Sequence, residues 1–239
     1  MLQALGRGKH NLKKNLVIFS GAGVSAESGL KTFRDAGGLW EEFRIEDVAT
    51  PEAWKKDPSL VTQFYNLRRK QVMDAQPNDA HKIIASLESK FNVSIITQNI
   101  DDLHERAGSK HVLHLHGEIM KVRSSMDPNL IYPIEHWEVK LGDLCEKGSQ
   151  LRPHIVWFGE MVPEMDKAIL LAEKADIFVV IGTSLNVYPA AGILNYAPAA
   201  TPKWLIDPGD FSLDYVTNLR HIKKVASEGM KDFSREIVK

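Results

Sequence analysis

A glycine-rich segment directly after a short apolar run is the strongest constraint that this sequence places on its fold. The run at residues 15–18, NLVI, has the length and β-branched content of a buried strand. The next segment, FSGAGVSAESG at 19–29, fits the G-x-G-x-x-G/A turn that opens a helix in dinucleotide-binding folds, with Ala26 keeping that helix close to the strand. Backbone N–H groups at the helix start would point at a pyrophosphate. An ordinary strand–helix turn is the alternative, and this pattern alone leaves both open.

The sequence after the glycine turn departs from the commonest nucleotide-binding pattern. A dehydrogenase would continue into a second strand that ends in an acidic residue about 20 positions on. Here KTFRDAGGLW at 31–40 has two adjacent glycines and no strand pattern. We therefore expect a loop over a bound nucleotide, with Phe33 and Arg34 facing the ligand. A hydrophobic plug is the alternative role for Phe33, and a solvated surface charge is the alternative for Arg34.

Two further segments place polar residues at the ends of predicted strands. Gln98, Asn99 and Asp101 follow the apolar run at 93–97, and ligands bind at the carboxyl ends of strands in open parallel sheets. Two amides and a carboxylate suit a carboxamide and a ribose, although Asp101 could equally cap a short helix. In VLHLHG at 112–117, His114 and His116 share one strand face. For both histidines a structural role is the alternative to a catalytic one.

Length and composition exclude several classes of protein. A chain of 239 residues can bury a sizeable core as one large domain, or as a large and a small one. With 30 basic and 31 acidic residues, no bulk charge points to nucleic acid or a membrane surface as a partner. No apolar stretch approaches the roughly 20 residues needed to span a bilayer, and the basic N-terminus lacks the apolar segment of a signal peptide. The single Cys145 precludes an internal disulfide and predicts a reducing, cytoplasmic location. We expect a monomer.

Apolar runs and helical patterns alternate along the chain, which predicts an α/β fold with a Rossmann-like, doubly wound parallel sheet. Strands are predicted at 15–20, 93–97, 112–116, 154–158, 176–182, 203–207 and 221–226. Helices are predicted at 59–74, 79–89 (capped by Asn78), 164–174 and 189–196. Two stretches do not fit the alternation: 31–78, with helical runs, and 119–153, irregular and polar. Both are excursions from the sheet.

Five motifs together resemble the sirtuin family of NAD-dependent protein lysine deacylases. They are GAGVSAESGLKTFR at 21–34, TQNIDDLHERAG at 97–108, LHG at 115–117, HIVWFGE at 154–160 and GTSLNVYPAAG at 182–192. They occur in the family's order from about residue 15 to the C-terminus, and the likeness is greatest to the bacterial class III branch. The resemblance implies a single domain over 1–239, with a large Rossmann-like part (1–30, 79–118 and 154–239). The excursions would pack as a smaller inserted domain (31–78 and 119–153), with the active site in the cleft between the two.

The resemblance also implies NAD as the cofactor and acyl-lysine proteins as substrates. It assigns the pyrophosphate turn to Gly21, Ala22, Gly23 and Glu27, and the loop over the nicotinamide ribose to Phe33, Arg34 and Trp40. The nicotinamide pocket would be lined by Gln98, Asn99, Ile100 and Asp101, and the adenosine part of the site by Gly182, Thr183, Ser184, Asp207 and Ala226. One wall of the acyl-lysine tunnel would consist of Val156, Trp157, Phe158, Gly159 and Glu160, pairing with the substrate backbone as an added strand.

The implied reaction needs a base to deprotonate the ribose after nicotinamide leaves. His116 is the candidate, because a histidine has a near-neutral pKa and Gly117 allows close approach. Asn99 and Asp101 would orient the ribose and the amide, and the products would be free lysine, nicotinamide and O-acyl-ADP-ribose. ADP-ribosyl transfer to protein is the alternative activity. A non-catalytic NAD-binding module is a further alternative, but it would need no base.

The predicted helix at 59–74 carries a clue to the acyl group. Tyr65 and Arg68 are three residues apart and therefore share one helix face. Sirtuins with Tyr-x-x-Arg here resemble the branch that removes succinyl and malonyl groups, and a phenol with a guanidinium can bind the terminal carboxylate of such groups. The alternative makes Tyr65 a half-buried aromatic and Arg68 a solvated charge.

The clearest departure from the family lies in the second excursion. Sirtuins usually hold a structural zinc there with two pairs of cysteines, but this chain has Ser124 and Ser125 at the first pair and only Cys145 at the second. A structural zinc needs about four nitrogen or sulfur ligands. His136 and Asp143 lie nearby, but no spacing pairs them convincingly with Cys145. We therefore expect no metal. An apolar cluster is predicted in its place, formed by Tyr132, Ile134, Trp137, Leu141 and Leu144.

Overall fold

The computed structural model describes residues 13–31, 43–183, 185, 187–211, 213 and 215–238. The predicted site residues Phe33, Arg34, Trp40 and Ser184 lie outside these described residues. Within them, no helix is long and apolar enough to cross a membrane.

Nine strands of the described chain form two sheets. They are β1 (Asn15–Ser20), β2 (Asn92–Thr97), β3 (Val112–His114), β4 (Gly117–Ser124), β5 (Ile131–Pro133), β6 (Leu151–Ile155), β7 (Ile177–Ile181), β8 (Lys203–Ile206) and β9 (Leu219–Ile222). The larger sheet is parallel and has the strand order β3-β2-β1-β7-β8-β9. The chain builds outward from β1 on one side and then returns to its other side, so the predicted doubly wound parallel sheet is confirmed.

The helices of the described chain are α1 (Gly23–Ala26), α2 (Ile45–Val48), α3 (Pro51–Lys56), α4 (Pro58–Asp74), α5 (Asp79–Leu87), α6 (Leu103–Arg106), α7 (Met165–Glu173), a 3-10 helix (Ala190–Tyr196) and α8 (Ala226–Ile237). Their starts follow local chemistry. The Asp57 side chain accepts from the Leu60 N–H at 2.9 Å to begin α4, and Asn78 accepts from the Ala80 N–H at 2.9 Å to begin α5. The predicted Asn78 cap is therefore confirmed.

Strand β1 lies at the centre of the core, with its side chains divided between the two faces of the sheet. Leu16 and Ile18 pack in one apolar cluster with residues of α5 and α8. Val17 and Phe19 pack in a second cluster with residues of α7 and the 3-10 helix. Because both faces are covered, the strand is a continuous apolar run rather than an alternating one.

The smaller sheet corrects the prediction for 119–153. That stretch was expected to be irregular, but it contains β5 and most of β4, which form an antiparallel sheet of order β5-β4-β6. The strand expected at 154–158 in the main sheet is β6, which lies at Leu151–Ile155 in this smaller sheet. The strand expected at 221–226 ends earlier, at Ile222, and Ala226 is the first residue of α8 rather than a strand end.

A buried arginine attaches α4 to the smaller sheet. Arg69 is fully buried, and its guanidinium donates to the Ile119 carbonyl at 2.8 Å, to Asn66 Oδ1 at 2.8 Å and to the Trp137 carbonyl at 2.7 Å. Asn66 in turn bonds both backbone groups of Val139. Burial lowers the pKa of Arg69 to about 10. Carbonyl oxygens thus compensate part of the cost of burying this charge.

Three glycines bring the ends of β1 and β7 into direct backbone contact. Gly182 has φ +61°, and a Cβ placed on it would lie 2.6 Å from the Gly23 carbonyl carbon and closer still to the Val24 nitrogen. A Cβ on Gly21 would lie 2.6 Å from the Thr183 Cβ. The glycines therefore have a packing role besides any role in ligand approach. Ala26 was expected to press the helix against the strand, but it is exposed, so that expectation was wrong.

We expect Gly182→Ala to lower the free energy of unfolding by at least about 2 kcal/mol, because both the positive φ and the clash with Gly23 oppose a methyl group. Gly192→Ala is the matched control, since a Cβ there meets no atom within 4 Å. Chemical denaturation of both variants measures the difference. Equal stabilities would show that the backbone contact relaxes without cost.

Candidate active site

The carboxyl ends of β1, β2 and β7 meet where the strand order reverses. Ser20 pairs with Thr97 in β2 and with Ile181 in β7. Just beyond the strands, the Gln98 N–H donates to the Ser20 carbonyl at 2.9 Å, and the Gly21 N–H donates to the Ile181 carbonyl at 3.0 Å. Open α/β sheets bind their ligands in the crevice at such a point.

Gln98 leaves a donor available at this edge. Its Oε1 accepts from Thr183 Oγ1 at 3.3 Å, which connects the ends of β2 and β7. Its Nε2 is buried and has no hydrogen-bond partner among the described residues. A buried amide without a partner is costly, so this N–H group suits a ligand that brings a carbonyl, such as a carboxamide.

Ser25 joins two predicted site residues and was missed in the sequence. Its hydroxyl donates to Asp101 Oδ2 at 3.1 Å and accepts from Asn99 Nδ2 at 3.2 Å. The other carboxylate oxygen, Asp101 Oδ1, accepts from the Leu103 N–H at 3.2 Å, but the N-cap of α6 is Asp102, so the alternative of Asp101 as the helix cap is wrong. Burial raises the pKa of Asp101. The position of Ser25 inside the glycine motif was the available signal.

The geometry of His116 suits a base. Its Nδ1 lies 3.0 Å from the Gln98 carbonyl oxygen, which can only accept, so Nδ1 carries the proton and the neutral ring keeps its lone pair on Nε2. Burial lowers the pKa of His116. Gly117 has φ +82° and packs against His154, so the turn after the histidine requires glycine. The His116 carbonyl accepts from the Val156 N–H at 3.0 Å.

Most backbone donors of the predicted tunnel wall at 156–160 are already bonded. The N–H groups of Val156, Phe158 and Glu160 donate to the carbonyls of His116, Ala49 and Trp157, respectively. The Trp157 N–H donates to the Glu160 carboxylate at 2.8 Å. A substrate backbone would therefore pair here mainly with carbonyl groups.

The Glu160 carboxylate is held by two arginines of the smaller sheet rather than left free for substrate. It accepts from Arg152 Nη1 at 2.9 Å and from Arg123 Nη2 at 3.3 Å. Arg152 is buried and stacks on the Trp157 indole, with the guanidinium carbon 3.3 Å from the ring centroid. Trp157 is buried by this contact, whereas Phe158 is 44% exposed.

Tyr65 and Arg68 lie on the face of α4 that points toward this wall. The Tyr65 hydroxyl accepts from the Trp157 indole N–H at 3.0 Å, and the Tyr65 side chain is buried. Burial raises the pKa of Tyr65. Arg68 is half-buried and donates to the Lys31 carbonyl at 3.4 Å, while the charge of Asp101 partly offsets the lowering of its pKa by burial. The alternative of a fully solvated charge is therefore wrong for Arg68.

Other predicted site residues have contacts of their own. Glu27 accepts from the N–H and the hydroxyl of Ser227, at 2.9 and 2.6 Å, and thus holds the start of α8. Asp207 follows β8, and its Oδ1 accepts from the Gly209 N–H at 2.8 Å. The Ile100 carbonyl accepts from the Ile119 N–H at 2.8 Å, and Ala22 is half-buried in the glycine turn.

A polar cluster lies around Cys145, where the sequence has too few cysteines for a structural zinc. Ser149 Oγ lies 2.6 Å from Ser124 Oγ and 3.1 Å from Cys145 Sγ, and Asp127 pairs with Lys147 at 2.8 Å. The Ser149 hydrogen bond lowers the pKa of Cys145 to about 7. Within the described part of the chain, no three His, Cys, Asp or Glu side chains are grouped to hold a metal ion.

The apolar cluster predicted for this region is wrong. Trp137, Leu141 and Leu144 are exposed by 38%, 51% and 55%. Tyr132 is half-buried, and its hydroxyl donates to Glu146 at 2.6 Å. Hydrogen bonds and an ion pair, rather than apolar packing, hold this loop together.

Two buried histidines lie behind the strand ends. Ser20 Oγ contacts Thr97 Oγ1 at 2.9 Å and His104 Nε2 at 3.0 Å. The His104 ring packs edge-on against His81 with 4.9 Å between centroids. Burial lowers the pKa of His81 to about 4 and that of His104 well below its usual value. Both rings are therefore neutral at physiological pH.

Comparison with known proteins adds a family to this geometry. The Sir2 family pattern matches residues 21–189. The NAD-dependent protein deacylase of Bacteroides thetaiotaomicron is 54% identical over 230 residues, which cover 94% of this chain and 98% of the relative.

Solved structures agree with the sequence comparison. A Sir2 homologue–NAD complex aligns with TM-score 0.85 and 41% identity, covering 95% of this chain and 90% of the other. A Sir2 protein bound to a deacetylated p53 peptide and 3′-O-acetyl ADP-ribose aligns with TM-score 0.78 and 30% identity, covering 95% and 94%.

The buried pair His81 and His104 predicts acid sensitivity. The folded pKa of His81 lies below its value of 6.5 in the unfolded chain, so its contribution is complete above pH 6.5 and is lost as the pH falls toward about 4. Lowering the pH from about 7 to about 5 should cost about 2 kcal/mol through His81 alone.

His81→Gln tests this, because a glutamine oxygen can still accept from the Asn78 N–H and complete the capping box at the start of α5. Denaturation at both pH values should give a smaller loss of stability in the variant, with His104 accounting for what remains. A loss identical to that of the parent would contradict the assignment to His81.

Proposed function

This chain belongs to the Sir2 family and is an NAD-dependent protein deacylase, and we propose that His116 is its general base and that Tyr65 and Arg68 select acyl groups ending in a carboxylate. The free amide of Gln98, in the crevice where the strand order reverses, supports NAD binding at this edge. NAD supplies the ADP-ribosyl group that accepts the acyl group from lysine. The rest of the proposal concerns what the chain's own residues do.

The protonation of His116 suits proton abstraction. Because Nδ1 donates to the Gln98 carbonyl, Nε2 faces away from that bond with its lone pair free. Because burial lowers the pKa, the ring is neutral near pH 7 and can accept a proton from a ribose hydroxyl. The Gln98 backbone thus orients the base, while the Gln98 side chain lies in the proposed nicotinamide pocket.

Asn99, Asp101 and Ser25 form one hydrogen-bonded group beside the base. The Ser25 hydroxyl fixes one Asp101 oxygen and one Asn99 amide hydrogen. The Asn99 Oδ1 atom is thereby directed away from Ser25. We propose that this group orients the nicotinamide amide and the ribose, since amide and carboxylate oxygens accept from both.

The acyl preference rests on how the Tyr65 hydroxyl is used. Its lone pair accepts from Trp157, so its own proton remains available to an acceptor in the tunnel. Burial raises the Tyr65 pKa, and the phenol therefore stays a donor throughout the physiological range. Arg68, half-buried on the same helix face, adds a guanidinium that can bind a carboxylate in a bidentate manner. Succinyl- and malonyl-lysine present such a carboxylate, whereas acetyl-lysine does not.

The substrates proposed are acyl-lysine side chains of proteins. A cytoplasmic location and a monomeric state stay predictions. The predicted location derives from the single Cys145.

His116→Ala should reduce deacylation by about 10²–10⁴-fold while NAD binding changes little, because the base acts after the cofactor is bound. Turnover is measured by mass spectrometry of lysine peptides and O-acyl-ADP-ribose, and NAD binding by calorimetry. His111→Ala changes an exposed histidine just before β3, and this control should match the parent. Activity of His116→Ala within tenfold of the parent would remove this residue from the mechanism, and ADP-ribose retained on protein would favour ADP-ribosyl transfer.

Arg68→Met should lower kcat/KM for succinyl-lysine by about 30- to 150-fold, mainly through KM, and leave acetyl-lysine nearly unchanged. Loss of a charge-assisted pair costs about 2–3 kcal/mol, at about 1.4 kcal/mol per decade. Lys70→Met removes an exposed cation of the same helix and is the control. Equal losses on both substrates would assign Arg68 a structural role.

A further inference from the structure

His114, the last residue of β3, bridges two elements of the active site. Its Nδ1 lies 2.9 Å from the Asn99 carbonyl oxygen, and its Nε2 lies 2.8 Å from Glu105 Oε1 on α6. The side chain is only 7% exposed, whereas that of Glu105 is 40% exposed. The contact to Asn99 parallels the one that His116 makes with the preceding carbonyl, that of Gln98.

The two partners of His114 decide its protonation. A backbone carbonyl and an ionised carboxylate only accept hydrogen bonds, and a neutral imidazole carries a single N–H. Both contacts are hydrogen bonds only when both ring nitrogens are protonated. His116 has one such acceptor and needs one N–H. The two histidines therefore have opposite requirements although they lie two residues apart, His114 at the end of β3 and His116 in the turn that follows it.

We propose that His114 is a positioning residue that, as an imidazolium, holds the Asn99 backbone to α6, and that loss of its proton at alkaline pH releases this turn and lowers activity. The inference rests on the proposed use of Gln98 and Asn99 in the active site. Releasing the Asn99 carbonyl would disturb the amide side chain bonded to Ser25. It would also disturb the neighbouring Gln98 carbonyl, which orients His116.

The charges around His114 favour the imidazolium. Burial alone would lower the pKa of His114, but the hydrogen bond and charge of Glu105 raise it above its usual value, with a smaller contribution from Glu118 on β4. His104 on α6 also faces it, but burial keeps that ring neutral. Asp101, before α6, is the remaining acidic neighbour, and the His114 charge lowers its pKa against the effect of burial.

The activity of the enzyme should then follow a bell-shaped pH profile with a separate origin for each limb. As the pH falls through the lowered pKa of His116, the base becomes protonated and activity is lost. As the pH rises through the raised pKa of His114, the ring loses a proton and can no longer bond both Asn99 and Glu105, so activity is lost again.

Glu105→Gln and Glu118→Gln form a matched pair for the test. Each removes one carboxylate that faces His114, but only Glu105 is hydrogen-bonded to it; Glu118 pairs with Lys121 at 2.7 Å. We expect Glu105→Gln to move the alkaline limb of kcat/KM for NAD down by about one pH unit, and Glu118→Gln to move it clearly less. His114→Gln should abolish that limb, because glutamine does not titrate in this range.

NMR titration of the histidine rings provides a readout independent of turnover. The His114 resonance is identified as the one that disappears in His114→Gln. In the parent protein the pKa of His114 should exceed that of a free histidine side chain. In Glu105→Gln the pKa of His114 should be lower than in the parent. A His114 ring that titrates at or below the ordinary value, or an alkaline limb unchanged in Glu105→Gln, would overturn the proposal. If instead His116 is not the base, the acid limb would be absent and His116→Ala would remain active. The two outcomes are therefore distinguishable.

Discussion

The backbone contact between Gly182 and Gly23 is the constraint on which the rest of the site depends. It holds the turns after β1 and β7 against each other at the point where the strand order reverses. Gln98 then reaches Thr183, and Ser25 reaches Asp101. The first contact joins the ends of β2 and β7, and the second joins α1 to the end of β2, so both depend on how closely these strand ends pack. The glycines are therefore part of the active-site architecture even before any ligand is considered.

Buried cations hold the smaller sheet where cysteine pairs are absent. Arg69 binds carbonyl groups around α4, and Arg152 binds Glu160 while its flat guanidinium covers Trp157. Such groups are expensive to bury, and Arg69 Nη2 and Arg152 Nε have no hydrogen-bond partner among the described residues, so the bonds offset only part of that cost. In the neighbouring loop the Ser124 and Ser149 hydroxyls and the Cys145 thiol are joined by hydrogen bonds without a buried cation. These directional polar contacts thus add to the apolar cluster that α4 forms with Ile119 and Ile155 of the smaller sheet.

The sequence predicted the parallel sheet well because its strands are apolar on both faces, as in Ile177–Ile181. The sequence did not predict α8, because only four residues of this polar helix are buried. It did not predict β4, because a bulge in this strand interrupts the alternation of buried and exposed side chains. Among site residues, those at strand ends were predictable from position. The contacts of Ser25 and Glu27 were not, because their partners lie 76 and 200 residues away in the chain. Tertiary contacts of that range leave no local pattern.

The Val156 N–H bond to the His116 carbonyl has a consequence for how such an enzyme can diversify. The proposed base and the proposed tunnel wall share this link, so a substitution at 156–160 that moves the Val156 backbone would also move His116. Helix α4 contacts the same wall through a side chain, Tyr65 against the Trp157 indole, and takes no part in that backbone link. Arg68 instead bonds Gln71 and the Lys31 carbonyl, so variation there would change the proposed acyl preference while the link between Val156 and His116 stays intact.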